Sequence, residues 1–524
     1  VPDSRQTLPE LLDRLSAQVG DRPFLAVGDQ RLAGAQFKAR VQAVAAGLCA
    51  QGFAAGDRLA VHLHRCVDEA VVLLAAAVAG GIAVPVHPKL KDDQVTHVLA
   101  DADPWAVVCS ATKGALLRDP AQVYAGRRLF HVGAAPGGLR SQPLQQLAAG
   151  PLLPEPPAVT PSTPAILLYS SGSTGLPKGI VQDHGNLVLG AEIVAGYLGL
   201  SGSDHILAVL PFSFDYGLNQ LLSAMWVGCR VTVAEHLGSS ELAAQLRTVQ
   251  PTGLAGVPSL WHEVCRGLAG GTLTPADAGS LRYVTNSGGR LPIDDVRTLR
   301  RLLPAVRVFS MYGLTEAFRS AWLDPAEIDR RPDSFGKALP GVELLLVDPD
   351  SGALLSGPAT GELVHAGALV AHGYWRQPAA TARRFRSDPR GHPGTVVYSG
   401  DLVRRDAEGL HYFEARRDRL LKVAGHRVSP DEVAQALQGF SGVGEVTVFG
   451  VDGGAQGHRI VLCVTGDTSD LGLPARIHRQ CRSRLPHYMV PQAVHVLPAL
   501  PHNANGKVDL IELQRRLGGC TGDR

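Results

Sequence analysis

The sequence predicts an α/β protein. It expects a large N-terminal domain of two alternating β/α subdomains plus a small β-barrel-like subdomain, then a small mobile α+β C-terminal domain. Three observations carry this. Short β-rich runs alternate with helical stretches twice along the chain, the pattern of parallel sheets. The pattern becomes strand- and turn-rich over residues 336–413 and changes again after Asp418. A chain of 524 residues is also too long for one hydrophobic core, so at least two domains are expected.

Thr7-Leu8-Pro9-Glu10 reads as a capping box, with Leu11, Leu12 and Leu15 on the apolar face of the helix it opens. The first alternating unit runs strand 59–63, helix 67–79, strand 82–86, helix 92–102, strand 105–109. A proline-rich stretch, 151–164, reads as a linker. The second unit runs strand 206–210, helix 217–227, strand 230–233, helix 241–249, strand 282–285, helix 294–303 and strand 306–309. Short β runs such as 342–347 and 361–365 suit a small antiparallel barrel or sheet. Ser429-Pro430-Asp431-Glu432 is a second capping box, followed by a helix and strands at 445–450 and 460–464. The expected domains are 1–417 and 418–524.

Composition excludes several classes. Fifty basic against 48 acidic residues argue against a nucleic-acid groove or a polybasic membrane surface. Eight scattered cysteines suit a reducing compartment better than a disulfide framework or zinc site. Residues 1–13 are polar without a signal-peptide core, and the apolar run 71–86 is broken by Gly80, Gly81 and Pro85. A cytoplasmic protein with no membrane partner is expected.

The chemistry begins at residues 169–179. This loop sets Ser170, Ser171, Gly172, Ser173, Thr174, Gly175 and Lys178 after an apolar strand. Glycines let backbone N–H groups approach an anion, hydroxyls add neutral donors and Lys178 adds a point charge, as a polyphosphate requires. It is not a Walker loop, because Pro177 precedes Lys178 and Gly179 follows it. By itself it also reads as a Ser/Gly-rich surface turn. Two further stretches, Asn286-Ser287-Gly288-Gly289-Arg290 and Tyr312-Gly313-Leu314-Thr315-Glu316, fall at the ends of expected strands, where open α/β sheets place their sites.

Taken in order with Tyr398-Ser399-Gly400-Asp401 and Asn505-Gly506-Lys507, these stretches resemble the adenylate-forming superfamily: acyl-CoA synthetases, peptide-synthetase adenylation domains and luciferases. Ser213 to Gly217 and Met311 to Ser320 look most like exosortase A-associated AMP-forming ligases and stand-alone amino-acid adenylating enzymes. The resemblance implies two half-reactions, acyl-AMP formation from Mg-ATP and transfer to a thiol of CoA or of a carrier protein's phosphopantetheine. Because the chain stops soon after Lys507, a carrier is expected in trans.

The resemblance also implies roles. The loop and Lys178 would hold the β- and γ-phosphates, Glu316 Mg²⁺ and Thr315 a phosphate. Asp401 would take the ribose hydroxyls. Gly288 and Gly289 would flank adenine, with Tyr312 stacking on it and Gly313 beside it. Lys507 would bridge the substrate carboxylate and the α-phosphate during adenylation only. Arg416 and Asp418 correspond to the arginine and hinge of a Gly-Arg-x-Asp motif whose glycine is here Ala415; Lys422 and Gly425 would line the thiol path.

Asp215, after Phe214, matches the aspartate that grips a substrate ammonium in amino-acid adenylating relatives. The alternative is that Asp215 pairs internally with Arg319. Tyr216, Asn219, Thr285, Ser287, Met311 and Ser320 would complete a modest polar pocket, fitting a small acid, most naturally an amino acid. Two other readings stand beside this one. One is a P-loop hydrolase, against which the missing Gly-Lys-Ser/Thr argues. The other is an inactive nucleotide-binding homologue, against which the full set of Lys178, Glu316, Asp401 and Lys507 argues.

Overall fold

The computed structural model describes residues 6–149, 157–171, 177–235, 238–417, 421–423, 426–452, 458–503 and 506–518. Thr7 caps the first helix, Leu8–Val19, and Glu10 closes the capping box as expected. Helices Leu8–Val19, Gly34–Ala50, Val67–Val78, His184–Leu198 and Asp215–Val227 share one apolar core with residues of two sheets. All of Val67–Val78 is buried there. That explains why, after Asp68 and Glu69 in its first turn, the sequence is apolar all round this helix rather than on one face. Among the described residues no helix is long and apolar enough to cross a membrane.

The first sheet has seven strands, with Arg58–His62 between Ile82–Pro85 and Ala106–Ser110, all parallel. Its edge is an antiparallel pair, Pro164–Ser171 with Pro177–Asp183. The element that follows the Ser/Gly stretch is therefore the strand Pro177–Asp183, not a helix.

The second sheet carries parallel strands His205–Ala208, Arg230–Val233, Gly253–Gly256, Tyr283–Asn286 and Arg307–Tyr312. Gly253–Gly256 was not foreseen from sequence, since its two glycines carry no β signature. Glycine is needed because a Cβ on Gly253 would stand 2.1 Å from the Tyr283 ring.

The expected small β unit is present, but it continues the second sheet instead of closing by itself. Ala321–Trp322 and Ser334–Ala338 lead from Arg307–Tyr312 to antiparallel His411–Arg416, Thr395–Arg405, Ala359–Gly367 and Val342–Val347. Phe335, Leu346, Leu363 and Val403 fill its core.

Ser429 caps the helix Pro430–Gln435, with proline at its start. Beyond it lie strands Val443–Asp452, His458–Gly466 and Ala493–Leu497 and helix Leu473–Arg484. This C-terminal part has a core of its own, including Val428, Val433, Leu462 and Ile477. The chain is thus a mixed α/β protein with a large N-terminal and a small C-terminal domain.

Candidate active site

Four parallel strands, His205–Ala208, Gly253–Gly256, Tyr283–Asn286 and Arg307–Tyr312, end on one edge, so the stretches after each converge. After the first comes the loop to Asp215, at the start of helix Asp215–Val227. Gly217 lets that helix press on the loop, since a Cβ there would stand 2.0 Å from the Pro211 carbonyl oxygen. Tyr216 N–H donates to Asp215 Oδ1 at 2.6 Å. Arg319 Nη1 lies 4.0 Å from Asp215 Oδ2, and both side chains are 4% exposed. Burial raises the Asp215 carboxyl above its ordinary range, while Arg319 and, more weakly, Lys507 oppose the rise.

A second group of side chains gathers around Asp401. The Tyr312 hydroxyl donates to its Oδ2, and Arg416 Nε lies 3.1 Å from Oδ1. Tyr312 packs in parallel on Phe335 at 4.5 Å between ring centroids. Burial raises Asp401, and the charges of Arg416, Arg384 and Lys507 offset part of it. Gly288 has a left-handed backbone, φ 81°, with Phe214 and Val257 facing its missing Cβ. The Asn286 amide donates to the Gly289 carbonyl at 2.9 Å.

Near the strand pair Pro164–Ser171 and Pro177–Asp183, the Tyr374 hydroxyl donates to Glu316 Oε1 at 2.6 Å. The Lys178 ammonium stands 5.2 Å from the Tyr374 ring centroid, and Ser170 pairs with Lys178 in the hairpin. The Gln182 amide donates to the Thr315 carbonyl. Gly313 lies in the turn between Tyr312 and this pair, against the backbone of Arg319.

Lys507 arrives from the C-terminal domain. Its N–H donates to Asn503 Oδ1 at 3.1 Å. The neighbouring Gly506 carbonyl accepts from Ser259 Oγ at 3.4 Å, at the start of helix Pro258–Gly270. The Lys507 charge is felt by both Asp215 and Asp401. Gly172, Ser173, Thr174, Gly175, Asp418 and Gly425 lie outside the described residues, as do the side chains of Ser171 and Lys422.

A narrow cavity is lined by Tyr216, Asn219, Thr285, Met311 and Arg319, together with Tyr197 and other residues. The Tyr216 and Thr285 hydroxyls bond each other. Phe214, Asp215, Ser287 and Ser320 do not line this cavity. Asp215 adjoins it through Arg319, and Phe214 faces Gly288. Both alternatives for Asp215, an ammonium site and a pairing with Arg319, are therefore within reach of one arrangement.

Three residues at the site escaped the sequence reading: Gln182, Tyr374 and Arg384. The Arg384 charge bears on both Tyr374 and Asp401, and its Nη1 would stand 2.6 Å from a Cβ on Gly400. Tyr374 sits in the turn-rich stretch before helix Pro378–Arg384, and Arg384 resembles any basic residue closing a helix. Their sequence context carries no mark of the site.

The donor set fits Mg-ATP. Asp401 offers a buried acceptor for a diol, Lys178 a cation, and Glu316 a hard oxygen. Among the described residues no group of three His, Cys, Asp or Glu could hold a metal alone. One carboxylate suits Mg²⁺, which takes its other ligands from phosphates and water.

This fold and site define an AMP-forming acid–thiol ligase. The profile of the AMP-binding enzymes matches residues 12–375, and that of the AMP-binding enzyme C-terminal domain matches 432–507. The chain belongs to this family, the adenylate-forming superfamily. It is 34% identical to an L-proline--[L-prolyl-carrier protein] ligase of Streptomyces coelicolor, over 96% of this chain and 94% of that protein. A protein of the same name from Pseudomonas fluorescens is 29% identical, over 92% and 93%. ATP-bound MatB from Rhodopseudomonas palustris superposes with a TM-score of 0.86 at 25% identity, covering 99% of this chain and 100% of that one. An anthranilate CoA ligase, AuaEII, in complex with anthranoyl-AMP shares the fold, with a TM-score of 0.88 at 22% identity over 99% and 98%.

Proposed function

We propose that this ligase activates a small amino acid as its aminoacyl-AMP and passes it to the phosphopantetheine thiol of a separate carrier protein. The observation that carries this is Asp215. It is a buried carboxylate on the cavity's border, within the field of Lys507, where an α-ammonium and an α-carboxylate can be held side by side. The two relatives named for a carrier-protein ligase support the thiol acceptor and make proline one of the first acids to test.

In the first step a substrate carboxylate oxygen attacks the α-phosphorus, and the bond to the β-phosphate oxygen breaks, releasing pyrophosphate. Lys507 stabilises the charge between carboxylate and α-phosphate. Lys178, Thr315 and the hairpin loop hold the phosphates, Asp401 holds the ribose, and Gly288, Gly289 and Tyr312 flank the adenine. Mg²⁺, when bound, neutralises phosphate charge, and Glu316 would hold it. In the second step the thiol sulfur attacks the acyl carbon, its proton is lost and AMP leaves.

We place the domain junction between 417 and 418, with Asp418 as hinge and Lys422 and Gly425 on the thiol path, on the strength of the family resemblance. The seven described cysteines are all free, which supports a cytoplasmic setting.

A second reading, a CoA ligase for an acid without an amine, is favoured by the Asp215–Arg319 contact, which leaves neither charge alone. ATP–pyrophosphate exchange over paired amino and des-amino acids tests the proposal. Exchange must require the amine; exchange with des-amino acids alone overturns the reading. Thioester formation with carrier protein against free CoA then tests the acceptor.

A further inference from the structure

Arg319 is held in an unusual way. It follows Phe318, a non-glycine residue with φ 43°, and the Phe318 ring fills the space that a side chain on Gly190 would need. A bulky residue in this region is uncommon and persists only where surroundings impose it. The result is a guanidinium that lines the cavity while 4% exposed. Its Nη1 donates to the Phe318 carbonyl at 3.0 Å and faces Asp215. Its Nε and Nη2 are buried without a hydrogen-bond partner.

Asn219, which also lines the cavity, has an unsatisfied buried donor, Nδ2, while its Oδ1 accepts from Ser223. Gln220 Oε1 is an unpaired acceptor there. Leaving buried donors unmade is costly, more so on a charged group. Two adjacent guanidinium N–H groups match the two oxygens of a carboxylate.

Charge bookkeeping points the same way. Without substrate, Asp215 and Arg319 offset each other at 4.0 Å. An α-ammonium docking on Asp215 takes that carboxylate for itself and strands the buried Arg319 cation. A second anionic group on the same substrate restores neutrality. The α-carboxylate cannot serve, because it must face Lys507 and the α-phosphate.

Resting on the amino-acid reading above, we infer that the substrate is an amino acid with a side-chain carboxylate, and that Arg319 Nε and Nη2, with Asn219, receive that carboxylate. Arg319 is then the specificity-determining residue, and the 4.0 Å to Asp215 limits the spacer to a short one, as in aspartate or glutamate.

The test is ATP–pyrophosphate exchange by the full chain with L-aspartate, L-glutamate, L-asparagine, L-glutamine, L-proline, succinate and glutarate. A pocket built to bind a polar group rejects analogues lacking it strongly. One dicarboxylic amino acid is expected to exceed its own amide and proline by at least ~10²-fold in kcat/KM. Arg319→Gln is expected to remove that preference and leave the KM for ATP unchanged, with Arg319→Lys recovering part of it. Preference for proline or an amide in the wild type overturns this inference and leaves the amino-acid reading standing. Preference for succinate or glutarate over their amino counterparts overturns the amino-acid reading as well. Because the panel is read on the wild type, a variant that fails to fold does not blunt it.

Discussion

Tyr374 and Glu316 are joined by a hydrogen bond of 2.6 Å, the tyrosine donating, and this bond ties the 371–375 segment to the Tyr312–Glu316 turn. The same segment runs along the strand Pro177–Asp183, with Trp375 N–H donating to the Gly179 carbonyl at 2.7 Å. Tyr374 therefore sets both the carboxylate proposed for Mg²⁺ and the ring beside Lys178. Outer partners that orient a metal ligand typically contribute ~10-fold or more to affinity. Tyr374→Phe should raise the Mg²⁺ concentration for half-maximal exchange by about 10-fold. A Mg²⁺ titration that is unchanged removes Tyr374 from this role.

Asp401 is a buried carboxylate that accepts from Tyr312 and stands beside Arg416, and it is the group proposed above to take the ribose hydroxyls. Losing hydrogen bonds to a charged acceptor costs ~1.5–3 kcal/mol. Asp401→Ala should therefore raise the KM for ATP by roughly 10- to 100-fold while the KM for the acid moves little. Equal changes in both constants would point to a collapsed site instead.

The fold is expected to be acid-labile. Burial lowers His62, His184 and His205 to about 4, and His87 and His365 to about 3. His184 Nδ1 accepts the Leu8 N–H, and neither ring nitrogen of His365 has a hydrogen-bond partner. Below pH 6.5 the unfolded imidazoles take up protons that the folded ones refuse, so stability falls as pH falls from 6.5 towards the folded values. Each such group costs up to ~1.4 kcal/mol by pH 5.5. Urea midpoints between pH 7 and 5 should drop steeply, and His365→Asn should shallow the slope. Flat midpoints would show that these rings are not neutral in the folded state.

The sequence makes some of this legible and not the rest, for identifiable reasons. The cap at Thr7 and the proline-started helix after Ser429 are local hydrogen-bond chemistry, readable from four residues. The cluster of site loops was readable because parallel strands force their ends onto one edge. The strand Gly253–Gly256 was not, because Gly253 answers to the Tyr283 ring on the neighbouring strand and Gly256 to Leu260 and Trp261 on the helix that follows. Likewise the Phe318 backbone and the orientation of Arg319 are set by packing on Gly190, far away in sequence. Tyr374 and Arg384 join the site only through tertiary contact.

Asp215 offers a direct test of the amine. Removing a charge-assisted bond of this kind costs ~1.5–3 kcal/mol. Asp215→Ala should raise the KM of the amino acid by roughly 10- to 100-fold and spare its des-amino analogue. Since burial raises this carboxyl, the KM of the wild type should climb as pH falls through a range above that of an ordinary aspartate. Loss of equal size for both substrates would favour a purely internal pairing with Arg319.

Lys507 distinguishes the two half-reactions. It lies more than 300 residues from the phosphate hairpin, and it reaches the site through the contact of Gly506 with Ser259. In this arrangement its charge bears on both Asp215 and Asp401. In the mechanism proposed above, charge grows beside Lys507 as a carboxylate oxygen meets the α-phosphate, and nothing comparable grows there when a thiol attacks the finished acyl-AMP. Removing one group aimed at developing charge typically lowers the rate by ~10²–10³. Lys507→Ala should therefore slow acyl-AMP formation by ~10²–10³, and thioester formation from supplied acyl-AMP should proceed at nearly the wild-type rate. The reading requires the C-terminal domain to turn away for the second step, so Gly506 should part from Ser259. A cysteine pair at 259 and 506, oxidised to a disulfide, should keep adenylation and block thioester formation. If the cross-linked protein completes both steps, or Lys507→Ala loses them equally, one fixed arrangement serves both reactions and the two-position domain is wrong.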